Sequence, residues 1–196
     1  IYSLSADMHS LPVRAFLPKG DIGNITGNLT ANGKGFDYDS PSFAAIADCH
    51  LDSIEYCHRK YHDLQANLRA EAGELAAHLA SLNKDLYLEL DANGLINSRH
   101  YELTMNSDIA DLNLKALNIT SAPSFGNGKL SLYGEVDLNS KTYLGNIQLS
   151  DFHWTQDTTR FDIPSLSADI YCSDSLITAN MHNEDFKLNF SSQCNL

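Results

Sequence analysis

The sequence repeats itself at an offset of about one hundred residues, so whatever backbone one copy adopts the other must also accommodate. Gly27-Asn28-Leu29-Thr30-Ala31-Asn32-Gly33 lies over Gly128-Lys129-Leu130-Ser131-Leu132-Tyr133-Gly134, an offset of 101. Leu51-Asp52-Ser53-Ile54-Glu55-Tyr56 lies over Leu149-Ser150-Asp151-Phe152-His153-Trp154, an offset of 98. Leu64–Leu68 matches Leu166–Ile170, Asp85–Leu90 matches Asp185–Phe190, and Leu11–Phe16 matches Leu112–Leu117, all in the same order along the chain. An offset that wanders between 98 and 102 means small loop insertions in a common framework. The expected organisation is two units, residues 1–98 and 99–196, with matching cores at 27–90 and 128–190. They are expected to form one continuous elongated sheet rather than two independent domains.

Inside each copy the apolar residues alternate. Leu86, Leu88 and Leu90 are separated by Tyr87 and Glu89; Leu166, Ala168 and Ile170 by Ser167 and Asp169; Ile177, Ala179 and Met181 by Thr178 and Asn180. A period of two puts the apolar set on one face of a strand and the polar set on the other. Turn-forming connectors are read at Asn32-Gly33, Asp91-Ala92-Asn93-Gly94, Gly126-Asn127-Gly128 and Cys172-Ser173-Asp174-Ser175. With turns roughly every 8 to 12 residues, about 14 to 18 antiparallel strands are expected. The fold class is therefore all-β: a repetitive meander curled into a trough with one apolar face and little or no helix.

One segment competes with that reading. Leu64, Leu68, Ala72, Leu75, Leu79 and Leu82 recur at helical spacing. The second copy decides between the two, because its counterpart carries Pro164 and no helical stripe, and a helix there would lose a backbone hydrogen bond. A strand through Leu64, Ala66, Leu68 and Ala70, a turn near Gly73-Glu74, and a strand through Leu75, Ala77 and Leu79 satisfy both copies.

The charge balance, 13 Lys+Arg against 25 Asp+Glu, gives a net −12 and excludes a phosphate-gripping nucleic-acid binder. No run of 18 apolar residues is present to span a bilayer as a helix, and the start lacks the basic and apolar regions of a signal peptide. The absence of an initiating Met suggests a piece excised from a longer protein. Cys49, Cys57, Cys172 and Cys194 lack the spacing of a disulfide framework, and the sequons at Asn24, Asn28, Asn118 and Asn189 arise readily in an Asn- and Ser-rich chain.

Candidate chemistry is thin. Cys57-His58-Arg59-Lys60-Tyr61-His62 has metal-ligand types, but its two cations oppose a metal and the second copy replaces it with Thr155–Phe161, so a solvated hairpin tip is expected. Asp37-Tyr38-Asp39 begins like a calcium loop but continues Ser40-Pro41, without the required glycine and terminal glutamate. The acid pairs Asp48 with Asp52 and Asp157 with Asp162 have no distinguishing context in a chain with 25 acids, and Gly33-Lys34-Gly35 is too short for a phosphate loop. Tyr56 matches Trp154 and Tyr61 matches Phe161, positions suited to cross-strand aromatic packing. Apolar spacing repeats while polar identities vary, the mark of a structural or binding surface. No catalytic residue, metal or cofactor is expected.

The pattern G-x-L-x-A-x-G-x-G at Gly27 to Gly35, followed by alternating strands ending L-x-L-x-L before Asn-Gly, resembles the repetitive β region of TamB and the wider AsmA-like envelope proteins of Gram-negative bacteria. The resemblance runs through both copies. It implies an internal segment of a periplasmic bridge anchored in the inner membrane, with a greasy trough for phospholipid movement or outer-membrane protein assembly. Its partners would be phospholipid or another acyl-chain ligand and, through other parts of the parent chain, an outer-membrane barrel assembly protein. The family offers no catalytic residues.

The expected trough lining is Leu51, Ile54, Leu64, Leu68, Leu79, Leu86, Leu88, Leu90, Leu149, Phe152, Leu166, Ile170, Met181, Phe186, Leu188 and Phe190. Two alternatives stand beside it: a repetitive β-scaffold or adhesin whose apolar faces close on each other, and a carbohydrate-binding or carbohydrate-active β-protein. The latter is disfavoured by a single tryptophan, Trp154, and the lack of a repeated acid pair.

Overall fold

The alternation is realised as one sheet. The computed structural model describes residues 1–16, 21–37, 40–57, 59–117 and 119–193. In chain order the strands are β1 (Tyr2–Pro12), β2 (Ile22–Lys34), β3 (Ala44–Tyr56), β4 (Arg59–Glu71), β5 (Glu74–Asn83) and β6 (Leu86–Ile96), then β7 (His100–Asn113), β8 (Ser124–Asp137), β9 (Thr142–Gln156), β10 (Thr159–Cys172), β11 (Leu176–His182) and β12 (Lys187–Gln193). Each pairs antiparallel with its sequence neighbours, giving a 12-stranded sheet in the order β1 to β12. β1 and β12 each have a single partner, so the sheet is open. The one helical element among the described residues is the 3-10 turn Val13–Ala15.

The fold class is as expected, but twelve strands replace the 14 to 18 anticipated. Three of the four connectors read as turns lie inside strands: Asn32-Gly33 in β2, Asp91–Gly94 in β6 and Gly126–Gly128 in β8. Glycine here serves close approach rather than reversal: a Cβ added to Gly94 would stand 2.8 Å from the Glu102 carbonyl oxygen on the next strand. Only Cys172–Ser175 is a true reversal, closed by Ser173 N–H donating to the Leu176 carbonyl at 2.8 Å. The segment with helical spacing is β4 and β5, joined at Ala72-Gly73, where both φ angles are positive.

Irregularities recur six strands apart. The β1–β2 register slips between Met8 and Leu11, and the β7–β8 register between Ile109 and Leu112. A slip beside Gly27 in β2–β3 is matched by one beside Gly128 in β8–β9. Cys57 N–H donates to the Asp21 carbonyl and Asp157 N–H to the Pro123 carbonyl, both at 3.0 Å, each from a tip residue with positive φ. Bulges of this kind add twist and bend a strand, and these fall along the same half of the sheet in both copies.

Among the described residues no second sheet layer packs over either face, although the β7–β8 connection reaches back to β4, where the Arg59 guanidinium donates to the Ala116 carbonyl. Among the described residues Leu114 alone is a buried hydrophobic side chain, and it sits in the β7–β8 connection rather than between layers. The accessible surface is 12440 Å², against about 9,200 Å² for a compact monomer of this mass. Stability therefore comes from the continuous backbone ladder and from half-burial of cross-strand neighbours, not from a closed core.

Candidate binding surface

Residues paired across adjacent strands share a face, so the register can be followed from edge to edge. One row runs Leu4, Ala31, Ala47, Leu68, Ala77, Ala92, Met105, Leu132, Ile147, Ala168, Met181, Leu188, one residue from each strand and every one apolar. The next row on that face runs from Tyr2 and Gly33 through Leu75, Gly94, Leu103, Gly134, Gly145 and Ile170 to Phe190, again without a polar side chain. A third, through Leu29, Cys49, Leu79, Leu90, Leu130, Leu149 and Leu166, is interrupted by Ser107, whose hydroxyl donates to the Glu89 carbonyl at 3.0 Å.

The opposite face is polar by the same register. Ser5, Thr30, Asp48, Asn67, His78, Asp91, Asn106, Ser131, Gln148, Ser167, His182 and Lys187 form one row. Hydrogen bonds run along it: Asn67 Nδ2 donates to Asp48 Oδ1 at 2.7 Å, His78 Nδ1 meets Asp91 Oδ1 at 2.8 Å, and Ser131 Oγ donates to Asn106 Oδ1 at 2.8 Å. The two faces thus differ in kind over the whole width of the sheet.

Of the sixteen sequence candidates, fifteen lie on the apolar face. Leu51, Leu64, Leu68, Leu79, Leu86, Leu88, Leu90, Leu149, Leu166, Ile170, Met181, Leu188 and Phe190 are there by unbroken alternation. Ile54 and Phe152 are three residues beyond Leu51 and Leu149, and the bulges at Asp52 and at Asp151 (φ 49) bring them onto the same face. Phe186 lies outside β12, in the hairpin turn where its N–H and that of Asp185 donate to Asn183 Oδ1. Sequence reasoning passed over Leu4, Leu132 and Ile147, although Leu132 and Ile147 stand in stretches with the same alternation.

The surface is open. Leu68 is 41% exposed, Ile147 43%, Ile170 49% and Leu188 60%. Each face position occupies roughly 33 Å² (about 4.8 Å by 6.8 Å), so these three rows present on the order of 1,100 Å², several times the patch of a few hundred Å² usual on a soluble monomer. Toward one end, where Gly94 and Gly134 leave room, Leu75, Ile96, Tyr101, Leu103, Val136 and Tyr143 line a hollow of about 420 Å³. Cys49 faces this surface from β3, and burial among Leu29 and Ala66 pushes its thiol upward in pKa.

A larger hollow of about 630 Å³ lies on the polar face between Arg69, Glu71, Glu74, Asn93, Glu102 and Thr104. Within it Arg69 Nη2 donates to Glu71 Oε2 at 2.8 Å and holds the Glu71 carboxyl below its usual range. Nearby, Tyr133 donates to Glu135 at 2.7 Å, and its phenol is pushed up to about 12 by that bond. The acid pairs noted in the sequence do not converge. Asp48 is bound by Asn67, and Asp162 accepts from His153 and from Arg160 Nε at 2.9 Å, which lowers its pKa.

Among the described residues no three His, Cys, Asp or Glu side chains are grouped to hold a metal. Cys49, Cys57 and Cys172 are free thiols; His58, Tyr38, Asp39, Asn118 and Cys194 lie outside the described residues. Trp154 pairs with Phe161 across β9–β10 and stacks on Phe152 with ring centroids 6.2 Å apart. Tyr56 and Tyr61 are not opposite each other; their register partners are Arg59 and Ile54.

No family model, curated protein or solved structure matches the chain. The surface itself is what bears on function.

Proposed function

We propose that this chain is a non-catalytic, lipid-binding segment of an envelope bridge of the TamB and AsmA-like type, its apolar face a trough for acyl chains in the periplasm. One observation carries the reading: two rows of apolar residues cross all twelve strands without a break and, among the described residues, no second sheet layer covers them. A surface of that size is covered by a partner or a ligand in water. Acyl chains suit it because they demand no directional contact, and each buried methylene contributes roughly 0.8 kcal/mol. The solvated polar rows on the other face suit an aqueous compartment, and the open sheet gives a hydrocarbon chain a path across strands rather than a closed pocket. An outer-membrane barrel assembly protein would be engaged through other parts of the parent chain.

A closed-core scaffold needs a second apolar layer, whereas all twelve strands belong to one sheet. The test is mass spectrometry of the protein purified without detergent. Co-purifying phospholipid, exchangeable for an added fluorescent fatty acid, supports the trough. A lipid-free protein that binds no fatty acid in titration refutes it.

A further inference from the structure

The pairing of β4 with β5 stops at Leu64 and Ser81, while β4 itself extends out to Arg59, paired there with β3. A notch opens where the two strands part. Arg59, Lys60, Tyr61, Asn83, Asp85 and Ala116 line it, around a volume of about 190 Å³. Its far wall is the β7–β8 connection, which is fastened across the β5–β6 turn. The Arg59 guanidinium donates to the Ala116 carbonyl, the Asn113 N–H to the Asp85 carbonyl at 2.9 Å, and the Ala116 N–H to Asn113 Oδ1 at 3.1 Å. Buried Leu114 anchors the same connection, so the notch is preformed.

This notch is cationic in an acidic chain. Its lining holds two cations and one carboxylate, and that carboxylate, Asp85, accepts Asn113 Nδ2 at 3.0 Å. Lys84 stands between two lining residues and Lys115 beside a third, so four of the 13 Lys+Arg gather here. Glu55 lies opposite Lys60 across β3–β4. The turn itself does not call for Lys84. Asn83 Oδ1 accepts the Asp85 N–H at 2.9 Å, and in the matching turn of the second copy Asn183 Oδ1 accepts the Asp185 N–H at 2.8 Å around Glu184. At the start of β10, Arg160 is tied to Asp162. The positive notch therefore belongs to one copy, not to the repeat.

The notch also meets the apolar face. Ile54 and Tyr61 are register partners on that face, and Tyr56 with Arg59 is the next pair outward on it. The apolar path over Leu51 and Leu64, then Ile54 and Tyr61, thus ends at a guanidinium. We propose that the notch seats the anionic headgroup, phosphate or carboxylate, of an amphiphile whose hydrocarbon lies along that path. The proposal rests on the lipid-binding reading above and adds a fixed orientation to it, head at the start of β4 and tail toward the middle of the sheet. A guanidinium offers a planar fork of donors to such oxygens, and lysines add point charge. At physiological salt charges are screened over about 8 Å, so the local cations rather than the net −12 set the attraction at this point.

Calorimetric titration with lysophosphatidic acid and with the monoacylglycerol of the same chain, which differ by the phosphate, tests this. The notch variant is Lys60→Gln, Lys84→Gln and Lys115→Gln together; the control is Lys34→Gln, Lys129→Gln and Lys141→Gln, which takes the charge from −12 to −15 equally. If the notch variant loses its strand circular dichroism, Lys84→Gln with Lys115→Gln, both outside the strands, takes its place. Wild type is expected to bind the phosphate-bearing lipid more tightly than the neutral one, and less so at high salt. The notch variant is expected to lose on the order of ten-fold for the phosphate-bearing lipid, as three exposed ion pairs of ordinary strength would, and nothing for the neutral one. Equal loss in the control, or no loss in the notch variant, overturns the headgroup seat. So does displacement by inorganic phosphate beyond that by chloride of equal ionic strength, which would assign the notch to a free anion. Wild type that binds the neutral lipid but gains nothing from the phosphate overturns the seat alone; wild type that binds neither lipid overturns the lipid-binding reading as well.

Discussion

If the apolar face holds acyl chains, a single carboxylate set into the middle of it abolishes binding while the same carboxylate one residue along does not. Ile147 lies mid-row between Leu132 and Ala168, and Gln148, its neighbour on β9, lies between Ser131 and Ser167 on the other face. Ile147→Asp and Gln148→Asp both take the formal charge from −12 to −13, so long-range repulsion of anionic headgroups is matched between them. Ile147 is 43% exposed; covering that remainder contributes about 0.6 to 1.3 kcal/mol of the roughly 1.5 to 3 for full burial of such a side chain. A carboxylate placed under hydrocarbon adds a desolvation penalty of several kcal/mol. Together these amount to on the order of 4 kcal/mol, about a thousand-fold in affinity. The assay is displacement of a fluorescent fatty acid from purified protein, with far-UV circular dichroism and thermal melts to show that both variants keep the sheet. Equal affinity for the two folded variants would refute the assignment of the lipid surface to this face.

Gly128 has φ +146, and an added Cβ would stand 2.8 Å from the Phe152 Cα, whereas at Gly145 it would meet only the Ile170 Cβ at 3.9 Å. Gly128→Ala is therefore expected to cost about 1 to 3 kcal/mol in urea titrations, and Gly145→Ala to be neutral or stabilising by up to about 1 kcal/mol; equal effects would contradict the bulge geometry. The depressed pKa of Asp162, due first to His153 and then to Arg160, means that its stabilising contribution is whole above its ordinary value of 3.8 and is lost as pH falls from there through the folded value. The melting-temperature gap between wild type and Asp162→Asn should accordingly be present at neutral pH and vanish in acid, and a gap independent of pH would remove the ion cluster from the stability of the β9–β10 hairpin. Ser107 is buried and its hydroxyl bonds the Glu89 carbonyl, so Ser107→Ala is expected to lower stability by about 1 kcal/mol while leaving fatty-acid binding in place.

Most of the fold was legible because period two is a strong signal when one face is apolar over a whole chain. The strand count was not, and the reason is local. Asn32-Gly33 and Asp91–Gly94 have turn composition, yet in the sheet their polar members stand on the solvated face, where Asn and Asp hydrogen-bond across strands. Their glycines fill places on the apolar face where a neighbouring backbone comes close, so composition that marks reversal elsewhere here marks two-sidedness. The apolar surface was legible in part. Leu132 and Ile147 carry the same alternation as the residues picked out, but what makes them one surface is the register between strands, which no single segment contains.

The bulges were written in the sequence as breaks of phase. Apolar residues on one face step by two along each strand, but the step is three from Met8 to Leu11, Leu51 to Ile54, Tyr61 to Leu64, Ile109 to Leu112, Leu149 to Phe152 and Ile163 to Leu166. An odd step would carry the rest of the strand to the wrong face; the register slips at four of these places, while Tyr61–Leu64 and Ile163–Leu166 lie opposite the breaks in β3 and β9 and keep register with them. The chemistry differs between copies while the backbone need is the same. Where β4 opposes β3 the break holds Asp63 with φ 57; at the equivalent place in β10 it holds Pro164, opposite Asp151 with φ 49. A proline without an N–H is tolerated within a sheet at a bulge, where no ladder hydrogen bond is lost. The proline that excluded a helix from the sequence therefore also locates the bend that keeps Phe152 and Ile163 on the apolar face. Replacing Pro164 with alanine should leave that bend in place, because Asp151 and the flanking apolar residues still require it.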